Sequence, residues 1–564
     1  MNFIETIHAN FARGDAPALT EMLATQARPL SWRALGSLVA QARAELREKG
    51  VKPGDRVALI AANGQRWVAA DLAILMEGAI AVPLYNRQSA HELVAMLKDC
   101  EPSLVVGEAG LEAELRALWS EIPWAELASL FGAKALDEKP CPRAASDIVT
   151  LVYTSGTSGV AKGVMLSCAN VDFMLARTRD ALRRVLDLPE MSHRLFHYLP
   201  FCFAGSRMVL WTSLLRGGEL HLSTDLQALA AEMGAAEPHY FLNVPALLER
   251  IRKGVEEKLQ ARPRAIQMLY RRGTALYAKS LRAKLSLPEQ VLLKAAETLV
   301  FRQIAKRLGP QLRCLICGSA PLMEETQQWF HMLGIPVYQV YGLTETTAII
   351  TLDEPGQARV GYVGKVIAGC EARIDAQGEL QVRGPNVFAG YFRRPEESEA
   401  VLGKEGWFRT GDQAEMDEAG HLKILGRVNH ILVPTSGHNV APEPIEETLR
   451  TRIPGAEHVV VFGHARPYLV ALITGNVERS QAQAQIDAYN QELPHYRRIR
   501  AFTLSPQGLN AEQGLLTANQ KLRRKAIAAH YAAQIDALYR ENAGAKPNPA
   551  LTSPQRPSEG GLPA

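Results

Sequence analysis

Directly after an apolar run over residues 148–153, the chain reads Tyr153-Thr154-Ser155-Gly156-Thr157-Ser158-Gly159-Val160-Ala161-Lys162-Gly163. The run reads as a buried strand, and a strand opening into a Gly/Ser/Thr loop with a lysine near its end is suited to holding a polyphosphate. Glycines let backbone N–H groups turn toward phosphate oxygens, hydroxyls add donors, and the lysine supplies charge. It is not a Walker A loop, because Ala161 stands where that pattern needs glycine and no Ser or Thr follows Lys162. Alone, such a loop is in a minority of cases only a linker or a turn, so its meaning depends on the motifs downstream of it.

At 564 residues the chain is too long for one core and divides into two or more domains. Helix-like and strand-like stretches alternate over 1–146, with a helical face of Leu35, Leu38, Ala42 and Leu46 and strands near 55–60 and 79–84. The alternation recurs over 148–245 and 310–350 and implies parallel α/β layers. Residues 247–308 are almost wholly helical in character. Their last helix is punctuated by a Ser286/Glu289 capping box and Gly309-Pro310, with Leu292, Ala296 and Leu299 expected on its apolar face. Strand and turn signals dominate from Ile374, and a compact α/β unit is expected over 427–542. Residues 543–564 are Pro/Gly/Ser-rich, with too few apolar residues to fold, and read as a disordered tail.

Hydrophobic residues at 47% and charged residues at 22% describe an ordinary globular protein, and a net charge of +4 is too small for wholesale nucleic-acid binding. That charge is unevenly placed. Residues 250–307 carry fifteen Lys/Arg against four Asp/Glu, net +11, which leaves about −7 for the remainder. Seven cysteines argue against a disulfide framework and for a reducing compartment. Cys314 and Cys317 have redox or zinc spacing, but they stand in an apolar strand without a second pair and read as core. The N-terminus lacks a signal peptide's basic and apolar regions. No uninterrupted apolar run reaches the ~18 residues of a membrane span; the nearest, 199–215, is broken by Arg207. The expectation is a cytoplasmic protein whose membrane contact, if any, is peripheral.

Further motifs succeed the loop in a fixed order: Gly318-Ser319-Ala320-Pro321 and Tyr341-Gly342-Leu343-Thr344-Glu345-Thr346, each after a short strand, then Gly406-Trp407-Phe408-Arg409-Thr410-Gly411-Asp412. Leu425-Gly426-Arg427, Ser436-Gly437-His438-Asn439 and Thr517-Ala518-Asn519-Gln520-Lys521-Leu522-Arg523-Arg524 complete the series. The set resembles the AMP-forming acyl-CoA synthetases of the adenylate-forming superfamily over essentially residues 1–540. The fold this implies is α/β. A large N-terminal domain (1–426) of layered α/β subdomains with a small β-rich subdomain precedes a small, mobile C-terminal α/β domain (427–542).

The resemblance implies ATP-dependent conversion of a carboxylate to an acyl adenylate, then transfer to coenzyme A (CoA), with Mg²⁺ accompanying ATP. A carboxylate is a poor electrophile. Joining it to AMP with loss of pyrophosphate makes a mixed anhydride that a thiol can attack, and the α-phosphate must be stabilised as it passes through five-coordination. By resemblance, Thr154, Ser155, Gly156, Thr157, Ser158, Gly159 and Lys162 cradle the β- and γ-phosphates. Glu345 binds Mg²⁺, a hard cation that takes carboxylate oxygen, and Thr344 donates to a phosphate or to the substrate carboxylate. Gly318, Ser319, Ala320, Tyr341 and Gly342 form the adenine slot, Asp412 accepts from the ribose hydroxyls, and Arg427 reaches ribose or phosphate. Lys521 bridges carboxylate and α-phosphate oxygens. After adenylation the C-terminal domain rotates, bringing Ser436, Gly437 and His438 to a pantetheine tunnel. The pivot position, usually Asp or Lys, is Asn429, which keeps hydrogen bonding but lacks charge. Ser158 for Thr and Ala161 for Pro are milder departures.

The acyl pocket of this family lies behind the segment 199–207, where Phe203 takes a position often held by His in long-chain enzymes and Gly205 lies two residues on. Packing accounts equally well for one Phe. The basic helical insert 247–308 is similar to that of bacterial long-chain fatty acyl-CoA synthetases. Its charge could attract anionic lipid headgroups by about 1 kcal/mol per suitably placed Lys/Arg, steer CoA phosphates, or simply be solvated. The reading is a long-chain fatty acid–CoA ligase using ATP, Mg²⁺ and CoA, with no nucleic-acid partner. The alternative is an acyl-adenylating enzyme that loads an acyl-carrier protein or another acceptor.

Overall fold

A computed structural model describes residues 1–541 apart from 24–25, 156–160, 226, 404, 439 and 518–520. The phosphate-loop residues Gly156, Thr157, Ser158 and Gly159, and the tail expected over 543–564, lie outside the described residues. The chain divides into two compact units, one of residues 1–410 and 414–424, the other of 411–413 and 425 onward.

Two large sheets with helices between them build most of the first unit, which also holds most of a four-stranded sheet of Glu371–Ile374, Glu379–Arg383, Phe408–Met416 and Leu422–Arg427. In the six-stranded sheet the order is Trp124–Glu126, Leu104–Gly107, Arg56–Ile60, Ile80–Leu84, Ile148–Ser155, Ala161–Ser167. All neighbours are parallel except the last pair, which is an antiparallel hairpin. The nine-stranded sheet has a parallel interior of six strands: Val337–Tyr341, Cys314–Cys317, Tyr240–Asn243, Arg194–His197, Glu219–Ser223 and Pro17–Leu23. Helix Gln65–Met76 packs against strands of both sheets and is buried on every side from Trp67 onward, as a helix apolar on all sides but for Asp71 must be. Helix Trp32–Glu48 shows the expected one-sided pattern, with Leu35, Val39, Ala42 and Leu46 buried and Ser31 capping its N-terminus.

Ion pairs are shut inside these layers, Arg43 with Glu77 and Arg207 with Asp71. Arg207, on helix Ala204–Arg216, pairs with Asp71 on helix Gln65–Met76, and both are essentially inaccessible. Trp211 Nε1 donates to the second Asp71 oxygen at 3.0 Å, and Arg207 donates to Thr150 Oγ1 at 2.5 Å. The residue that interrupts the apolar run 199–215 is thus paired in the core. Among the described residues no helix is long and apolar enough to cross a membrane.

The insert is helical apart from the turns at 261–263 and 281–286: Pro245–Gln260, Arg264–Ser280, Leu287–Ala296, a π-turn Glu297–Phe301, and Arg302–Leu308. The Ser286/Glu289 capping box forms. Leu299, expected on the apolar face, is 61% exposed instead, while Val300 and Phe301 are buried. A π-turn holds more residues per turn than the 3.6 of an α-helix, so it delays the register and rotates Leu299 outward. All seven cysteines are unpaired; Cys314 and Cys317 are buried strand residues, and burial pushes the Cys314 thiol up to about 12.

The second unit has a three-stranded sheet, Ala456–Phe462, Leu469–Gly475 and Ile499–Ser505, with the buried Leu469–Gly475 in the centre. Its period of two sorts the two faces. Val459, Val461, Ala471 and Ile473 pack against helices Glu443–Arg452 and Arg479–Glu492, and Val460, Val470 and Leu472 against helices Arg524–His530 and Ala532–Glu541.

Candidate active site

Lys162 lies on a strand. In the hairpin of Ile148–Ser155 and Ala161–Ser167 it sits directly opposite Thr154, with Ser155 opposite Ala161 at the mouth of the loop. The free edge of its strand is covered by residues 389–392: Ala389 N donates to Met165 O and Met165 N to Gly390 O, both at 3.0 Å, and Phe392 N to Gly163 O at 2.8 Å. That segment brings Tyr391 beneath Lys162, whose Nζ is 4.9 Å from the ring centroid. The ammonium also pairs with Glu397, on the short helix Pro395–Val401. The lysine hydrogen bond holds the Glu397 carboxyl below its usual range.

The same tyrosine reaches the second expected residue. Its hydroxyl donates to Glu345 Oε1 at 2.9 Å, and Phe388 N donates to Glu345 O at 2.9 Å. Glu345 and Thr344 occupy a 3₁₀ turn, Thr344–Thr346, closed by Thr347 and Ala348 with φ of +50° and +81°. Two successive left-handed non-glycine residues are strained. The buried Asn386 pins them: Thr347 Oγ1 donates to Asn386 O at 2.8 Å and Asn386 Nδ2 to Ile349 O at 2.9 Å. Gly342 is obligatory here, since a Cβ would lie 2.2 Å from Ala348 O.

Strands Tyr240–Asn243, Cys314–Cys317 and Val337–Tyr341 end together, with Asn243 opposite Cys317 and Cys317 opposite Gln339. Gly318-Ser319-Ala320 and Tyr341-Gly342 therefore leave the sheet side by side at the carboxyl ends of parallel strands, where open α/β sheets bind ligands. Gly318 N donates to Asn243 O at 3.2 Å, and a Cβ on Gly318 would meet Val340 Cγ2 at 2.7 Å. Ser319, at φ +73°, and Ala320 face solvent, while Tyr341 is half-buried.

Phe203 stands at the N-cap of helix Ala204–Arg216, half-buried, its ring 5.8 Å from that of Tyr85. A Cβ on Gly205 would meet nothing nearer than Leu242 Cδ2 at 4.0 Å, so the helix face there has room beside it. The buried His197 bonds Ser206 Oγ at 2.5 Å and stacks on Phe201; burial lowers its pKa to about 4 and keeps it neutral.

In the second unit, Arg427 Nε is 2.9 Å from Asp412 Oδ1, and Asp412 is buried. Asn429 is exposed in the turn Val428–His430. His430 Nδ1 bonds Glu443 Oε1 at 2.6 Å, and Glu443 lies 3.6 Å from Arg524, which is anchored on the buried Glu446. Burial raises the Glu443 carboxyl, but His430 and Arg524 outweigh it and hold the pKa below its ordinary value. Lys521 is exposed where the chain folds back on itself, its N–H donating to Thr517 Oγ1 at 3.0 Å and Thr517 N to Lys521 O at 2.8 Å. Ser436, Gly437 and His438 are exposed, and the His438 ring stacks on Tyr496 at 4.2 Å.

The hairpin and its covering segment thus gather Lys162, Tyr391 and Glu345 in the first unit, and Asp412 and Arg427 meet in the second. Tyr391 and Glu397 are absent from the sequence-based set. The cue available was the Gly390-Tyr391-Phe392 run just ahead of Pro395, but their relevance depends on which strand they cover. Glu345 fits a magnesium ion carried by a nucleotide. Among the described residues no group of three or more His, Cys, Asp or Glu could enclose a metal, and Mg²⁺ characteristically takes one or two carboxylates plus substrate phosphates.

Residues 8–392 match the AMP-binding enzyme family, and residues 429–543 the AMP-binding enzyme C-terminal domain. The chain belongs to this family, an ATP-using, adenylate-forming one. It is similar to the long-chain-fatty-acid–CoA ligase FadD15 of Mycobacterium bovis, 29% identical over 87% of this chain and 89% of that protein. The long-chain-fatty-acid–CoA ligase ACSBG2 of Xenopus laevis is 27% identical over 83% of this chain and 69% of its own. The fold is shared with the o-succinylbenzoate coenzyme A synthetase of Bacillus subtilis, solved with ATP and magnesium ion: TM-score 0.72, 21% identity, 93% of this chain and 99% of that one.

Proposed function

We propose that the protein is an AMP-forming long-chain fatty acid–CoA ligase. The single observation that carries the reading is the Lys162–Tyr391–Glu345 arrangement, which sets a phosphate-seeking ammonium and a metal-seeking carboxylate on one aromatic ring. Family membership and the names of the relatives support the same reaction.

In the first half-reaction a fatty-acid carboxylate oxygen attacks the α-phosphorus of ATP, and the α–β bridging bond breaks with its electron pair leaving on pyrophosphate. Thr154, Ser155, the loop residues 156–159 and Lys162 bind the β- and γ-phosphates. Gly318, Ser319, Ala320, Tyr341 and Gly342 take the adenine, and Asp412 with Arg427 the ribose. Glu345 would hold Mg²⁺, which, when bound, offsets charge on the phosphate oxygens, and Thr344 donates to a phosphate or to the fatty-acid carboxylate. Lys521 lowers the barrier by placing its charge between carboxylate and α-phosphate oxygens.

In the second half-reaction the CoA thiolate attacks the acyl carbon and AMP leaves. The C-terminal domain, 427–542, turns about Asn429 between the halves, and Ser436, Gly437 and His438 line the path of the thiol. Phe203 and Gly205 border the acyl chain. The acceptor is CoA, as the relatives' names carry it; a carrier protein is the weaker reading. The enzyme works in the cytoplasm, with peripheral membrane contact through 250–307.

The test follows pyrophosphate and acyl-CoA in parallel, with purified protein, ATP, Mg²⁺ and a fatty-acid panel, with and without CoA. Joint appearance with long-chain acids upholds the ligase. Acyl-AMP that accumulates and is not discharged by CoA overturns the assignment of the acceptor.

A further inference from the structure

The described residues leave eight large apolar side chains well exposed, and five of them, Met268, Leu281, Leu287, Val291 and Leu299, fall within one stretch of the basic insert. Single exposed apolar residues are ordinary; a cluster on one element marks a contact surface. Helices Arg264–Ser280 and Leu287–Ala296 form an antiparallel hairpin. A Cβ on Gly273 would sit 2.4 Å from Ala296 Cβ, and Lys279 Nζ reaches Glu289 Oε1 at 2.7 Å. The turn between them, 281–286, is therefore a projecting tip, exposed except at Leu285.

Leu287 and Val291, 77% and 71% exposed, are four residues apart on one helical face. Beyond them the π-turn turns Leu299 outward as well, while Val300 and Phe301 go to the core. Lys284 and Lys294 are exposed beside this stripe. We propose that the tip of this hairpin and the helix face next to it, Leu281, Leu287 and Val291 with Lys284 and Lys294, seats in the headgroup region of an anionic lipid bilayer.

An apolar stripe edged by lysines is the pattern of a helix lying in a membrane interface. A second copy of the chain is disfavoured as occupant, because it would bring another +11 insert against this one. A nucleic acid would leave the apolar side chains without a partner. The proposal rests on the peripheral contact proposed above and narrows it to a defined tip whose apolar side chains enter the bilayer.

The experiment is co-sedimentation of the full-length protein with phosphatidylcholine vesicles, with and without phosphatidylglycerol, comparing wild type with Leu287→Asp/Val291→Asp. Circular dichroism checks the fold, and acyl-CoA formation from detergent-dispersed acid checks the enzyme separately. The expected result is wild-type binding to the anionic vesicles only, weakened about tenfold or more in the double variant, with acyl-CoA formation unchanged. Equal binding by the variant overturns the tip and leaves a purely electrostatic contact of the insert. Wild type that ignores anionic vesicles overturns both, as does a tip required only for capturing an acidic carrier protein. Neither outcome touches the ligase assignment, which fails only if acyl-CoA does not form.

Discussion

The Tyr391 hydroxyl donates to Glu345 Oε1 at 2.9 Å while Lys162 Nζ lies 4.9 Å from the centre of the same ring. One side chain thus orients a carboxylate by hydrogen bonding and a cation by its ring face. Both charges belong to elements far apart in sequence, and the strip 389–392 on the edge of the hairpin brings them together.

Tyr391→Phe keeps the ring under Lys162 and removes the bond to Glu345. Because hydrogen bonds to charged groups contribute about 1.5–3 kcal/mol, the Mg²⁺ concentration for half-maximal ATP–pyrophosphate exchange should rise about tenfold or more. A metal titration at saturating ATP reads this directly; an unchanged midpoint would remove Tyr391 from the orientation of Glu345.

Glu397 pairs with Lys162, and under the phosphate-binding role proposed for that lysine it competes with ATP. The pair is partly solvated, with side-chain exposures of 17% for the lysine and 39% for the glutamate, so it contributes no more than about 1 kcal/mol. Glu397→Gln should lower the KM for ATP by up to about fivefold with kcat little changed. Lys162→Ala in the same background should erase that gain.

Arg207 and Asp71 lie in the core beside the hairpin, where Arg207 donates to Thr150. Arg207→Met strands the Asp71 carboxylate and should destabilise the first unit by about 3–5 kcal/mol. Arg207→Met/Asp71→Asn should recover most of that, because Asn removes the stranded charge and still accepts from Trp211. Denaturant unfolding of the two variants separates the charge from the packing.

Asp353 is 1% exposed, accepts Gln339 N at 2.9 Å through Oδ2, and has no partner on Oδ1 among the described residues. Burial pushes its pKa up from 3.8 to about 7, against a smaller opposing pull from the Gln339 N–H. The folded state therefore keeps a proton that the unfolded chain has lost between these values, and stability must fall as pH rises from about 4 to about 7. Asp353→Asn should flatten that slope and stabilise the protein at pH 8 by up to about 4 kcal/mol. Melting temperatures from acid to neutral pH give the comparison.

Much of the fold could be read from local pattern. The helix Trp32–Glu48, the strand before the phosphate loop and the capping box at Ser286 arise from periodicity and short-range bonds, which neighbours in sequence determine. Leu299 departs because a 3.6-residue period cannot foresee a π-turn. Arg207 looked like a break in an apolar run and is a core residue, because its counter-charge comes from another helix.

The same division runs through the active site. Lys162, Glu345, Asp412 and Lys521 could be proposed from the sequence alone, since each stands in a short motif that resembles one of the family. Tyr391 and Glu397 were not, because their roles arise from strand pairing and helix placement, which bring residues together without any regular spacing between them. Motif identity and periodicity were set by the order of the residues. Which charge faces which partner, and which apolar side chains remain in water, only the packing of sheets and helices decided.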